Sequence, residues 1–365
     1  MRQRVRTLAV VGAGVALLAV VLRSAELDRV VDGLASARHD LIAVALVATL
    51  STYVVRAIRW RYLLAPIGRV GFVAALRATV MGFAATSLLP GRVGEILRPY
   101  VLARHEELSV SAALATVVLE RLLDLAVILA MFGVSVVVFE PGFAAGNRGL
   151  LEGVRFGAAA AAAGAGATLV LAFAAAGNPA RMERLVDRLT RVLPRRPAAV
   201  VRRVSRRFVD GLAVMRRPGL LLWATAWSVA LWALIAGGLW LVSLAFGIEM
   251  PLAGAGTLLV LVAAGVAVPT PAGIGGYHAA YQVGATGLYA AAPEAAVGAG
   301  LVAHAMSFLP VTVAGLTLMA QEGIRMRTIG RLAASPVPEG GAAPPVTDAT
   351  VDSGPRPVGQ DGGSP

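Results

Sequence analysis

The chain has 365 residues, 57% of them hydrophobic and 15% charged, with a mean hydropathy of +0.74. A soluble domain carries about 25% charged residues, and several apolar runs here reach the roughly 18–20 residues that span a bilayer, so the composition is that of a polytopic membrane protein. All 33 basic residues are Arg, the formal charge is +12, and cysteine is absent, which excludes disulfides, thiolate metal sites and cysteine nucleophiles.

In chain order, Met1–Thr7 carries Arg2, Arg4 and Arg6 ahead of an apolar run from Leu8 to Leu22. The run is followed directly by Arg23-Ser24-Ala25-Glu26 rather than by an A-x-A cleavage site, so an uncleaved first span is expected rather than a signal peptide. Further apolar segments lie at 41–64, 70–89, 111–139, 151–176, 219–247, 252–268 and 294–320. From Ala333 the chain turns to Pro, Gly, Ser and acidic residues. The expected organisation is therefore a transmembrane domain over 1–332 and a disordered cytoplasmic tail over 333–365.

Two of the eight segments run into Pro/Gly breaks: Leu89-Pro90-Gly91-Arg92-Val93-Gly94-Glu95 and Pro269-Thr270-Pro271-Ala272-Gly273-Ile274-Gly275-Gly276. Non-helical backbone at membrane depth survives only where protein buries it or where it lines a cavity. Read as re-entrant hairpins over 70–104 and 252–282, the breaks leave six full spans. Pro90, Gly91 and Gly94 then break the first hairpin, and Pro271, Gly273 and Gly275 the second. Ordinary Pro/Gly kinks are the competing account.

The positive-inside rule separates the two counts. With a cytoplasmic N-terminus, six spans plus two hairpins place Arg56/Arg59/Arg61/Arg69, Arg98/Arg104, the 181–217 segment and Arg325/Arg327/Arg331 inside. The Arg-free stretch 248–293 falls outside. Counting 70–89 as a full span would put twelve Arg of 181–217, against Glu183, Asp187 and Asp210, on the wrong side. The hairpins then enter from opposite faces, and P-x-x-x-G at Pro90–Gly94 recurs at Pro271–Gly275. Oppositely oriented broken helices meeting near the midplane are an inverted-repeat-like, transporter-type arrangement.

Within 181–217, Met182, Leu185, Val186, Leu189 and Leu193 recur at helical spacing, as do Val201, Val204, Phe208, Leu212 and Met215. Two basic amphipathic helices on the cytoplasmic leaflet are expected, with a solvated linker as the alternative. Nucleic-acid binding is not expected, because no aromatic platform accompanies the charge.

Ionisable residues inside membrane segments cost about 2.5–3.5 kcal/mol each on insertion scales and are functional candidates. They concentrate in Arg92, Glu95 and Arg98 after the first break and in Glu120, Arg121 and Asp124 on the next helix. Arg92–Glu95 and Glu95–Arg98 are i,i+3 pairs, and Glu120–Asp124 is i,i+4. These residues either form an ion-pair network pinning the hairpin to the 111–139 helix or line a polar cavity for an anionic head group; both can hold. Tyr277, His278 and Tyr281 would face them from the second hairpin, and His304 reads as a satisfied core histidine or a proton relay. The four His show no metal-ligand spacing, and no metal or other cofactor is expected.

Arg56-x-x-Arg59-Trp60, the run Leu89-Pro90-Gly91-Arg92-Val93-Gly94-Glu95-Ile96-Leu97-Arg98, Glu120-Arg121-Leu122-Leu123-Asp124 and Pro269–Gly276 together resemble a known family. It is the flippase-like transmembrane domain of lysylphosphatidylglycerol synthases, the membrane part of the bacterial multiple peptide resistance factor, which also occurs alone. The resemblance covers about residues 41–325. It implies movement of aminoacylated phosphatidylglycerol between leaflets, with a separate soluble domain making that lipid. Stand-alone relatives are connected with lipid-linked saccharides.

The expected function is thus translocation of an anionic phospholipid or lipid-linked saccharide in a bacterial plasma membrane, with both termini cytoplasmic. The partners are membrane lipids and a possible separate lipid-synthesis enzyme. An intramembrane lipid-modifying enzyme using a Glu120/His304 dyad and a small-solute permease remain as alternatives. The sequence contains no G-x-S-x-G elbow and no GxxxxGK[ST] loop, which argues against a serine nucleophile and against ATP hydrolysis by this chain.

Overall fold

A computed structural model describes residues 26–89, 93–143, 148–192, 194–267 and 270–324, with scattered positions between 12 and 22. Pro90, Gly91, Arg92 and the tail lie outside the described residues. Among the described residues the protein is all-helical, without strands.

The helices are α1 (Leu27–Ser36), α2 (His39–Leu64), α3 (Phe72–Leu88), α4 (Gly94–His105), α5 (Val110–Phe143) and α6 (Arg148–Gly177). There follow α7 (Pro179–Leu189), α8 (Arg195–Gly211), α9 (Pro218–Ala245), α10 (Ala255–Ala267), α11 (Gly276–Tyr289) and α12 (Pro293–Gln321). Within the described residues, α2, the 155–177 part of α6, α9 and α12 are long and apolar enough to cross a bilayer. Helix α3 and the 252–267 stretch are apolar but shorter. Helix α5, at 34 residues, is long enough to span, on the order of 50 Å at 1.5 Å per residue, and carries Glu120, Arg121 and Asp124 on the way. The outer surface exposes Val44, Val47, Phe156, Leu171, Phe173, Leu222, Leu309 and Val313. An apolar girdle of that extent belongs against lipid rather than water.

Helices α3 and α4 form one antiparallel hairpin. A Cβ placed on Gly82 would lie 3.0 Å from the Gly94 carbonyl and 2.7 Å from the Arg98 Cβ, so the arms touch backbone to backbone. At the open end the Gly71 amide donates to Glu106 Oε1 at 3.3 Å. Helices α10 and α11 repeat the design. Gly265 faces the Gly276 carbonyl, and at the open end the Tyr289 hydroxyl donates to the Gly254 carbonyl at 2.6 Å. The second hairpin therefore runs to Tyr289, seven residues past the expected end.

Helix α12 relates the two. Its C-terminal end meets the open end of the first hairpin, where Glu322 pairs with Arg77 at 3.0 Å and His105 at 3.2 Å. Its N-terminal end follows the open end of the second hairpin directly, Pro293 coming four residues after Tyr289. Midway along, His304 Nε2 lies 2.9 Å from the Ala272 carbonyl at the second tip. Two hairpins thus open at opposite ends of one helix, and the tip of the second packs against α3 of the first.

The ends of the bundle differ in charge. Pro66 and Ile67 in the α2–α3 connection line a cleft of about 560 Å³ with Ser109, Arg207, Asp210, Arg216 and Arg217. Helices α7 and α8 are tied by Arg202–Asp187 at 2.8 Å and Arg206–Glu183 at 3.0 Å. Helix α8 also joins the bundle: Gly211 approaches the Ala112 carbonyl of α5, and Val209 and, in the 3-10 turn just past the helix, Leu212 and Met215 are buried, whereas α7 has no buried residue. The opposite end is closed by Arg38 N–H to the Ala245 carbonyl and Trp240 Nε1 to the Met250 carbonyl.

Candidate functional site

The site begins on α2. Arg56, Arg59, Trp60 and Leu63 recur at i, i+3, i+4 and i+7, and all four are buried, while Arg61 lies off that face and donates Nε to the Val70 carbonyl at 2.9 Å. Two of the four Arg expected on the cytoplasmic side at this span therefore belong to the interior instead. A buried guanidinium needs carboxylates, and α5 supplies them at i,i+4.

Glu120 is fully buried and is the hub. Its carboxylate meets Arg59 Nη2 at 2.9 Å, Arg98 Nη1 at 2.8 and 3.0 Å, and Arg121 Nη2 at 2.7 Å. Asp124 accepts from Arg59 Nη1, from Trp232 Nε1 at 2.8 Å, and pairs with Arg121 Nη1 at 3.4 Å. Ser228, one turn before Trp232 on α9, accepts from Arg59 Nη1 at 3.0 Å. Arg98 also stacks over Trp60 at 3.7 Å, and Trp60 donates Nε1 to Thr116 Oγ1 at 2.9 Å. The cluster therefore bolts α2, α4, α5 and α9 together.

Arg98 reaches across to α5 rather than pairing along its own helix with Glu95, and Glu95 instead lies within electrostatic reach of Arg121. Of the expected candidates, Glu95, Arg98, Glu120, Arg121 and Asp124 come together here. Arg92, with Pro90 and Gly91, falls outside the described residues. Arg56, Arg59, Ser228 and Trp232 were missed as site residues. The signal for the two Arg was available, since both sit inside an apolar run one turn apart. Ser228 and Trp232 had none, being ordinary residues of an apolar span.

Tyr277, His278 and Tyr281 form a second group at the other hairpin. The Tyr277 ring centroid lies 5.2 Å from His304, and the two imidazoles are 4.5 Å apart. The Ala272 carbonyl can only accept, so His304 carries its proton on Nε2 in that contact and is satisfied. His278 Nδ1 accepts the Gly275 amide at 3.3 Å. Together these hold a tip in which Ala272, Gly273 and Gly275 all have positive φ (52°, 69° and 84°), a conformation only Gly adopts without cost. Thr270, at the same tip, has a buried hydroxyl without a partner among the described residues.

Glu120 and His304 have different partners, so the dyad considered from sequence is not formed. The groups are bridged instead. Arg56 lies 4.6 Å over the Phe83 ring, Tyr53 packs edge-on to Phe83 at 5.6 Å, and the Tyr53 hydroxyl donates to the Ser307 carbonyl at 2.9 Å, one turn past His304.

Tyr281 is fully buried, with its hydroxyl 2.7 Å from Ser243 Oγ. Ser243 already donates to the Leu239 carbonyl at 2.9 Å, so Tyr281 is the donor between them. Tyr281→Phe is expected to cost about 1 kcal/mol, because Ser243 loses one accepted bond and keeps the one it donates. Thermal unfolding in detergent checks this, and a loss several-fold larger would contradict the assignment of donor.

Among the described residues there is no cluster of three or more His, Asp or Glu able to hold a metal ion.

Residues 7–315 match the family described as lysylphosphatidylglycerol synthase TM region. A curated relative, glycosyltransferase AglD of Haloferax volcanii, is 26% identical over 355 residues, covering 88% of this chain and 56% of that protein. The chain thus spans little more than half the length of that relative. The apolar helices and the family make this a multi-pass membrane protein. With the match running through both hairpins and every residue of the buried cluster, the chain belongs to the lysylphosphatidylglycerol synthase TM-region family.

Proposed function

We propose that the protein moves an anionic phospholipid or a lipid-linked saccharide between the leaflets of the plasma membrane, leaving it chemically unchanged. The observation that carries this reading is the pair of broken hairpins opening at opposite ends of α12, with a buried cluster beside them in which three Arg share the Glu120 and Asp124 carboxylates. Broken helices that meet near mid-membrane give a polar group a path where no continuous span would.

The topology that goes with it has six spans and two re-entrant hairpins, α3–α4 from the cytoplasm and α10–α11 from the other face. The end bearing Arg207, Arg216 and Arg217 is the cytoplasmic one by the positive-inside rule. Both termini are then cytoplasmic. Helices α7 and α8 lie at that surface, where each Arg near anionic lipid contributes about 1 kcal/mol.

Membership of a family named for lysylphosphatidylglycerol synthesis supports a phospholipid cargo, and a relative named a glycosyltransferase supports a glycosylated one. In either case a separate enzyme would make the lipid. Reconstituted vesicles test the reading. Fluorescent phosphatidylglycerol or a polyprenyl-linked saccharide in the inner leaflet should become accessible to an outside quencher, with the lipid recovered intact. A chemically altered lipid would make the protein an enzyme, and no movement of either class would end the proposal.

A further inference from the structure

We infer that Arg56 is the anion-binding residue of the buried cluster, and that its ligand is the singly charged phosphodiester of a lipid head group. The identity of the lipid rests on the translocation reading; the anion does not. Arg59, Arg98 and Arg121 each have a carboxylate partner. Arg56 lies one turn from Arg59 on the same face, is 8% exposed, and makes no hydrogen bond or ion pair among the described residues. Its Nε and Nη1 are buried without an acceptor. Its guanidinium lies over two rings, Phe83 at 4.6 Å and Trp232 at 6.0 Å.

A buried cation without a hydrogen-bonded counter-charge is unfavourable, and Arg does not escape by losing its proton. The nearby Asp124 cannot serve it, since one of its oxygens already takes Arg59 and Trp232, and the other faces Arg59 at 3.5 Å and Arg121 at 3.4 Å. What is missing is an acceptor with two oxygens on one centre, which the planar guanidinium fork binds bidentately. A phosphodiester provides those oxygens and a single negative charge, and the aromatic walls suit the glycerol or sugar carbons beside it. Arg56 also stands where the clusters join, because Phe83 and Tyr53 lead from it to Ser307 and the second tip. An anion held there lies between the hairpins rather than at either mouth.

The test is thermal unfolding of the purified full-length protein in neutral detergent. It is run without lipid, with phosphatidylglycerol, and with inorganic phosphate, for the wild type, Arg56→Met and Arg56→Lys. Without lipid, Arg56→Met should unfold at the same temperature as the wild type or higher, because an unpaired buried cation has been replaced by an apolar chain of similar length. Phosphatidylglycerol should raise the wild-type midpoint. The concentration giving half that shift should rise at least about tenfold in Arg56→Met, as expected when an anchoring residue is removed, and less in Arg56→Lys.

An Arg56→Met protein that is less stable without lipid and responds normally to phosphatidylglycerol would overturn the inference. So would an equal shift with inorganic phosphate, which would make this an anion site with no preference for lipid. If Arg56→Met does not express, Arg56→Gln, neutral and polar, carries the same comparison. Lipid binding through Arg56 without movement in vesicles would sink the translocation reading alone, and movement with Arg56-independent binding would sink this one alone.

Discussion

Glu120→Gln is expected to destabilise the protein more than any other single substitution in the buried cluster. The Glu120 carboxylate is fully buried and is shared by Arg59, Arg98 and Arg121, which come from three different helices. The amide is nearly isosteric, so packing is kept and only the charge is removed. Arg59 and Arg121 would keep Asp124 and Arg98 would lose the carboxylate it meets, in an interior where removing one member of a buried pair costs about 3–5 kcal/mol. Asp124→Asn should cost less, because Arg59 and Arg121 keep Glu120. Thermal unfolding in detergent measures both. Equal midpoints for Glu120→Gln and the wild type would mean that the cluster does not hold the helices together, and Arg98 would need another explanation for its 3% exposure.

Gly94→Ala is expected to be comparably damaging for a steric reason. The added carbon would sit 1.8 Å from the Gly82 carbonyl oxygen and 2.3 Å from Thr86 Oγ1. The obstacle is backbone, which no rotamer change can clear. Overpacking costs typically 1–3 kcal/mol and more where the backbone must yield, so separation of the α3 and α4 arms follows. Gly265→Ala should act alike in the other hairpin, at 2.3 Å from the Gly276 carbonyl. Gly133→Ala is the control, since nothing lies within 4 Å of its added carbon and Ala gains up to about 1 kcal/mol of helix propensity. Yield and midpoint of the three variants decide the matter. If Gly94→Ala behaves like Gly133→Ala, the arms do not touch as described.

Much of this architecture was legible in the sequence. The apolar segments marked seven described helices; of the break residues, Gly94 opens α4 and Gly273 and Gly275 sit at the tip of the second hairpin, while Pro90 and Gly91 lie outside the described residues. Glu120 and Asp124 were readable as one face from their spacing. Arg56 and Arg59 carry a signal of the same kind, two charges one turn apart inside an apolar run, but the positive-inside rule accounts for them equally well alongside Arg61 and Arg69. Charge counting places an Arg near a helix end but does not say whether it points out or in; the buried face through Trp60 and Leu63 decides that. An ion-pair network pinning the first hairpin to the 111–139 helix is among the expected arrangements, and Arg98–Glu120 is such a pair; that Arg98 takes Glu120 in particular was not legible. It depends on how closely α4 approaches α5, and local periodicity carries no information about that distance. Ser228 and Trp232 are more than a hundred residues from the carboxylates they assist, in a span whose composition is otherwise plain.

The glycine contacts inside each hairpin bear on how the molecule could move. Arms locked backbone to backbone at Gly82–Gly94 and Gly265–Gly276 cannot slide or splay separately, so each hairpin is a stiff wedge. Displacement has to be taken up at its hinges, the connections 65–71 and 106–109 for the first wedge and the residues beside Gly254 and Ala290 for the second. Helix α12 touches both, so a rocking of one wedge would be felt along a single strut by the other. On the translocation reading, the two hairpins would be geared together through α12.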